Sequence, residues 1–292
     1  MSDSVASLRH KIDSAEELES VVRTMKAMAA SSITQYENAV RSLDDYYRTV
    51  QLGLSACFKQ DNLSGAITGR EAPGTAAIGV IVFGSDQGLV GQFNEAMVEF
   101  VEHTLAPLSG KKILWAVGER LQSRLSETRL KQEPGFTLPN SIHAVTALVG
   151  QILIALEARR EAGSIERVYL FHHSPRADAI YTPMSQQLLP LDQAWRDELV
   201  NIPWPASNLP EVMPDRQATL RALVREYLFV SLFRACAESL ASENASRLAA
   251  MQRAEKNIDE LQDDLNLTFH RLRQSSIDEE LFDVLSGFEA LN

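Results

Sequence analysis

The chain has 292 residues, 45% of them hydrophobic and 23% charged, enough to bury one or two cores. Its formal charge of −11 argues against broad binding to a nucleic-acid backbone, and no run of about twenty apolar residues marks a membrane span. Cys57 and Cys236 lie far apart with no Cys/His set beside them, so neither a metal site nor a disulfide framework is expected, and a reduced cytoplasmic setting fits.

The start, MSDSVASLRHKID, lacks the apolar stretch of a secretory signal. From Val5 to Phe58 the chain is free of proline. Apolar or small residues recur at Leu8, Ile12, Ala15, Val22, Met25, Ala29, Ile33, Tyr36, Val40, Leu43, Tyr47, Val50 and Leu54. Steps of three and four alternate, the seam of a coiled coil, so one long helix is predicted over residues 1–60. Within it, Ala27, Ala29, Ala30, Ser31 and Ser32 form a patch of small side chains. Plain helix propensity accounts for such a patch; the sharper reading is close packing of another backbone at Ala29, Ala30 and Ser31.

The middle, residues 75–192, has a different period. AAIGVIVF (76–83), KKILWAV (111–117) and ERVYLFHH (166–173) are continuous apolar runs, the mark of buried strands. Helical patterns over Phe93–Leu105, Glu119–Leu125 and Ile142–Arg160 alternate with them, and 179–191 reads as a further strand and its exit. Strands alternating with helices predict an open, largely parallel, Rossmann-like α/β domain. Gly and Ser in 61–75 and prolines 203, 205, 210 and 214 mark the linkers on either side.

From Pro214 on the chain is again proline-free, and Pro214-Asp215 reads as a helix start. A seam runs through Leu220, Val224, Tyr227, Leu240, Leu248, Met251, Ile258, Leu261, Leu265, Leu272, Leu281, Val284 and Phe288. At about 1.5 Å per residue the two terminal helices are roughly 80 and 110 Å long. A compact body of this chain length is only about 50 Å across. The helices of 1–60 and 213–292 are therefore expected to project and to bury their seams on each other as an antiparallel coiled coil.

The turn FGSDQGLVGQFN (83–94) follows a strand and precedes a helix, where dinucleotides bind. Its glycines, Gly84, Gly88 and Gly91, are spaced neither as G-x-G-x-x-G nor as a P-loop. A structural turn is the expected reading, with a nucleotide-dependent enzyme that uses Gly84, Gly88 and Asn94 as the alternative. His172 and His173 end a strand, but no carboxylate, serine or cysteine stands at a recognisable spacing, so they read as structural. Near the end, RQSSIDEELFDVLSG (273–287) admits three readings. Ser276 and Glu279 have capping-box spacing; the charges suit a solvated face; Arg273 and Gln274 suit donors to a partner.

Five segments together resemble the gamma subunit of F-type ATP synthases. SLASENASRLAAMQRAEKN (239–257), RQSSIDEELFDVLSG and VVRTMKAMAASSITQ (21–35) look like that family's terminal signatures. GSDQGLVGQFNEAM (84–97) resembles its Ser-Asp-Arg-Gly-Leu-Cys-Gly-Gly-Leu-Asn turn, and MSQQLLPL (184–191) its Ser-Gln-Leu-Leu-Pro-Leu strand end. The resemblance implies a coiled coil of the two chain ends with an α/β domain inserted between them. It implies a non-catalytic central-stalk rotor that carries torque between an ion-driven c-ring and the alpha/beta hexamer, proton or sodium driven, with no cofactor of its own. The implied partners are the alpha, beta and epsilon subunits and the c-ring. The implied place is the cytoplasmic face of the cell membrane, peripheral and without insertion.

Carried over residue by residue, Met25 and Arg247 fall at a methionine and an arginine near the beta subunits' acidic lever. Arg273 and Gln274 fall at the Arg-Gln pair that meets the beta subunits' catch loop. Five departures point to a divergent branch, an alternative or sodium-type synthase among them. Ser32 replaces a basic residue and ITQYENA (33–39) a basic run; Asp278 replaces a threonine; Val90 and Gln92 replace Cys and Gly in the turn.

Overall fold

The structure is a computed structural model that describes residues 4–59, 77–176, 179–191, 193–208 and 215–289. The linker readings at 61–75, Pro210 and Pro214, and the side chain of Phe288, lie outside the described residues.

Helix α1 spans Val5–Lys59. Leu8, Ala15, Val22, Ala29, Tyr36, Val50 and Cys57 are all buried, and they fall on one seven-residue repeat with half-buried Leu43. A strict heptad is the seam of a left-handed coiled coil. After it come β1 (Ala77–Phe83), α2 (Phe93–Leu105), β2 (Lys112–Val117), α3 (Glu119–Leu125), α4 (Ile142–Glu161), β3 (Ile165–Ser174) and β4 (Thr182–Leu189). A short α5 (Gln193–Val200) precedes the long α6 (Arg216–Glu289).

The sheet order is β2-β1-β3-β4, with β1 parallel to β2 and β3, and β4 antiparallel to β3 at one edge. All seven residues of β1 are buried because it sits centrally with helices on both faces. One face packs Ile78, Val80 and Val82 on Met97 and Val101 of α2 and Leu121 and Leu125 of α3. The other packs Ile81 and Phe83 with Val149 and Ile152 of α4, Leu54 of α1, and Tyr227 and Leu232 of α6. Helix α4 is long and apolar enough to cross a membrane by length and composition, but Val145, Leu148, Val149, Ile152, Leu153 and Leu156 are spent on this core.

The chain divides into two compact units, and the division cuts both long helices. One is Met1–Ala30 with Arg247–Asn292; the other is Ser31–Ser246. In the first, Lys26 pairs with Glu255 at 2.5 Å and the Gln262 side-chain amide reaches Glu19 at 3.4 Å, which sets an antiparallel register. At equal rise along both helices, that register brings the first turn of α1 beside Ser276 of α6. In the second unit, α6 is buried on nearly every side between Tyr227 and Ser246. Its small residues there, Ala235, Cys236, Ala237, Ser239, Ala241 and Ser242, let it lie close to its neighbours. Burial in that setting pushes the Cys236 thiol well up, with the Glu243 carboxylate adding to the effect.

Helix α5 has no counterpart among the predicted elements. It is held by Leu199 and by the Trp195 ring, whose centroid lies 4.6 Å from that of Tyr227. Burial pushes the Tyr227 phenol up to about 12.

Candidate functional site

In the turn after β1, an added Cβ at Gly84 would stand 2.4 Å from Leu121 Cβ and 2.8 Å from Asn94 Oδ1. The glycine is needed for packing of α3, not to admit a ligand. The Asn94 side chain accepts from Ser85 N–H at 3.0 Å and donates to Ser85 Oγ at 2.8 Å; that hydroxyl donates to Gln87 O at 2.9 Å. The Asp86 carboxylate accepts Glu119 N–H at 2.9 Å and Leu138 N–H at 3.1 Å, capping α3, whose own N-cap is Gly118. Ser85, Asp86 and Asn94, the last of which the nucleotide alternative used, are thus committed to the turn itself. Val90 is buried, so an apolar residue of cysteine's size suits the slot, and Gln92 has φ −90°, where no glycine is required.

Serines of the SENAS stretch on α6 grip the carboxyl edge of this sheet. Ser246 Oγ donates to Val90 O at 2.6 Å, and Ser242 Oγ, one turn earlier, to His173 O at 3.3 Å. The His173 ring lies between Phe93 and Tyr181, with centroids at 4.2 and 4.4 Å. Its Nε2 bonds Phe93 O at 2.9 Å. A carbonyl only accepts, so Nε2 carries the proton. Burial lowers this imidazole to about 4 and keeps it neutral.

His172 has a carboxylate partner that sequence spacing did not reveal. Glu238 of α6, 66 residues away, lies 3.1 Å from its Nε2. Glu238 also accepts from Arg234 Nε at 2.8 Å, and Arg234 pairs with Asp44 of α1 at 3.5 Å. Burial alone would raise the Glu238 carboxyl, but hydrogen bonds from His172 and Arg234 outweigh it and hold the group at about 2. A chain of hydrogen bonds and ion pairs, His172 to Glu238 to Arg234 to Asp44, therefore links β3, α6 and α1. Both histidines are engaged within the chain; the reading of them as structural rested on the lack of a carboxylate partner, and for His172 that ground does not hold.

The residues expected to meet partners are spread along the helix pair and do not form one cluster. Met25 is half-buried beside the Lys26–Glu255 pair, and Arg247 is half-buried. Arg273 and Gln274 are exposed, 26 residues and about 39 Å farther along α6 than Arg247. Of the proposed packing residues, Ala29 is 2% exposed, while Ala30 and Ser31 face outward within the chain. Successive helical residues turn by about 100°, so the three cannot share one seam.

Helix α6 runs unbroken through Ser276 and Glu279 to Glu289, which removes the reading of a capped new helix there. Beyond Ser276 no residue of α1 is left to pair with it. The seam positions Leu281 (58% exposed) and Val284 (71%) are therefore bare, as are Ile277, Phe282 and Leu285. The seam is thus buried against α1 only as far as α1 reaches. The signal for it was the difference between 55 residues in α1 and 74 in α6.

The sequence profile of the ATP synthase family matches residues 4–291. An ATP synthase gamma chain from Granulibacter bethesdensis is 30% identical over 301 residues, covering 99% of each chain. One from Anaeromyxobacter sp. (strain K) is 28% identical over 298 residues, with the same coverage. Among solved structures, a chain of the Euglena gracilis mitochondrial ATP synthase in rotational state 3 superposes with a TM-score of 0.67 at 17% identity, covering 98% of this chain and 94% of that one.

Proposed function

The chain belongs to the ATP synthase gamma family, and from that premise we propose how its residues serve the central-stalk rotor. As gamma subunit it is a non-catalytic part of the membrane-associated complex, with the alpha and beta subunits, the epsilon subunit and the c-ring as partners. The observation that carries the proposal is the bare end of α6. A helix end with five exposed apolar residues is rare on a protein that works alone. Counted at 100° per residue, Ile277, Leu281, Val284 and Leu285 fill one arc, and Glu279, Glu280 and Asp283 the opposite one. Such a tip suits the inside of the alpha/beta ring. Apolar contact is not directional, so it holds the shaft without fixing its angle. The two unlike sides present each catalytic interface with a different surface as the shaft turns.

Arg273 and Gln274, exposed just before the tip, are the proposed donors to the beta subunits. Arg247 and Met25 are the proposed contacts farther down the shaft. Ala29 is the proposed close-packing position, with Ala30 and Ser31 beside it turned toward the stator. The segments 1–60, 75–192 and 213–292 are the proposed functional division, and the cytoplasmic face of the membrane is the proposed location.

The test is the double variant Arg273→Ala/Gln274→Ala in the reconstituted complex. The isolated chain should melt as the wild type does, because both side chains are exposed. Each charge-assisted bond is worth about 1.5–3 kcal/mol, so ATP synthesis per ion translocated should fall severalfold. Unchanged coupling with normal assembly would remove these two residues from the mechanism.

A further inference from the structure

We propose that a belt of positive charge around the paired helices, half of it supplied by the first turns of α1, meets carboxylates that line the alpha/beta ring. The inference rests on the rotor reading and adds α1 to the contact expected at Arg273.

The Lys26–Glu255 and Gln262–Glu19 contacts set one register. Carried on at equal rise, it places Arg9, His10 and Lys11 of α1 beside His270, Arg271 and Leu272 of α6, next to Arg273. The six basic side chains are all exposed. No Asp or Glu occurs from residue 4 to 12 on α1 or from 265 to 277 on α6. The band is about 20 Å long, and it carries only positive charge in a chain whose formal charge is −11. Acids close it at both ends: Asp13, Glu16, Glu17, Asp263 and Asp264 on one side, Asp278, Glu279 and Glu280 on the other. The first turn of α1 holds no acid, although a carboxylate there would stabilise the helix.

The pairing of the cations gives the second observation. Nearer Ala30, Arg23 pairs with Glu19, Lys26 with Glu255, and Lys256 with Glu260 at 3.6 Å. In the belt, Arg9, Arg271 and Arg273 have no acid of the chain within ion-pair distance among the described residues. Like charges set side by side repel, so the free chain bears a strain that an anionic neighbour relieves.

The belt is spread around the helices and not gathered on one side. Successive residues turn by about 100°, so Arg9, His10 and Lys11 point in three directions, and Arg271 and Arg273 stand about 200° apart. An exposed charge acts over about 8 Å at physiological ionic strength, so a carboxylate is attracted without being touched. Such an attraction is offered at every angle, and it centres the shaft without fixing its rotation. The partner is named by charge complementarity and by continuity. Arg273 is the proposed donor to the beta subunits, and the bare tip beyond it is the proposed surface inside the ring.

The experiment measures binding of the full chain to purified alpha and beta subunits at about 50 and about 300 mM salt. The chains compared are wild type, Arg9→Gln/Lys11→Gln, Arg9→Glu/Lys11→Glu and Lys256→Gln. All four should melt alike, because the altered side chains are exposed. At the lower salt, affinity should fall about tenfold in the Gln pair and at least thirtyfold in the Glu pair, and both losses should shrink at the higher salt. Lys256→Gln, whose charge is already met by Glu260, should stay within about twofold of wild type. Wild-type affinity in both double variants overturns the proposal and leaves the rotor reading intact. A loss that salt does not alter, or an equal loss in Lys256→Gln, also overturns it. Saturable binding of tripolyphosphate that the double variants abolish, with affinity for alpha and beta subunits untouched, assigns the belt to a free phosphate and overturns it too. A wild-type chain that does not join alpha and beta subunits at either salt overturns the rotor reading itself.

Discussion

The carboxyl edge of the sheet and the end of α6 are built on opposite terms. At the sheet edge, Ser85, Asp86, Asn94, His172, Ser242 and Ser246 each have a partner within the chain, mostly in a buried setting. At the helix end, five apolar side chains have none among the described residues and stand in solvent. The first region is largely bonded within the chain, the buried Nδ1 atoms of His172 and His173 being left over. The second is the surface proposed for contact with the alpha/beta ring. Of the segments that carry the family resemblance, then, the central turn is engaged in the fold, while the terminal one is exposed.

The strongest way to break that comparison is at Gly84. The Gly84→Val change forces a side chain against Leu121 and Asn94, and neither Leu121 Cβ nor the doubly bonded amide has freedom to retreat. A loss of about 4 kcal/mol in urea unfolding is expected, at the upper end of single substitutions. A nucleotide-binding turn would instead tolerate the change in the absence of nucleotide. A loss below 1 kcal/mol would show that the turn is looser than its hydrogen bonds imply.

A smaller effect belongs to His173. Its imidazole is lowered from 6.5 to about 4, first by burial, against the hydrogen bond to Phe93 O, with His172 next to it adding to the lowering. Between those values the unfolded chain binds a proton at this ring and the folded chain does not. Stability is therefore full above pH 6.5 and falls as the pH drops toward 4, by up to roughly 3 kcal/mol. Glu238 acts in a separate, lower window, losing its contribution only as the pH falls from 4.5 toward 2. Chemical unfolding at pH 7 and pH 5 should show the slope, and His173→Gln should flatten it. An equal slope in both proteins would place the titration elsewhere.

What could be read from sequence divides along the same line. The bounds of α2 and α3 and three of the strands were legible to within a residue or so, because a buried run flanked by glycine is a local signal. The heptad of α1 was legible for the same reason. Helix α5 was not, since its burial depends on one tryptophan meeting Tyr227 across the core. Nor was the Glu238 partner of His172, because a contact between residues 66 apart in sequence leaves no periodic trace. Periodicity carried the helix correctly through Leu281 and Val284 but did not say whether they are covered. It reports that a residue has an apolar face, not that the chain supplies something to cover it.

The smallest effect on the chain itself is expected at the tip, and it separates the two regions most sharply. Replacing Ile277, Leu281, Val284 and Leu285 together by serine removes no buried contact within the chain, since each is more than half exposed. The cost to unfolding free energy should stay within about 0.5 kcal/mol per site from helix propensity alone. Four substitutions of that kind in a buried seam would cost roughly 2–5 kcal/mol each and leave no folded protein. If the tip is a contact surface, the quadruple variant folds normally and becomes less prone to self-association, yet assembles poorly with alpha and beta subunits or turns over ATP with loss of coupling. If the variant instead melts far below the wild type, those side chains are packed within the isolated chain in solution. The contrast between a bonded sheet edge and an exposed helix end would then be withdrawn.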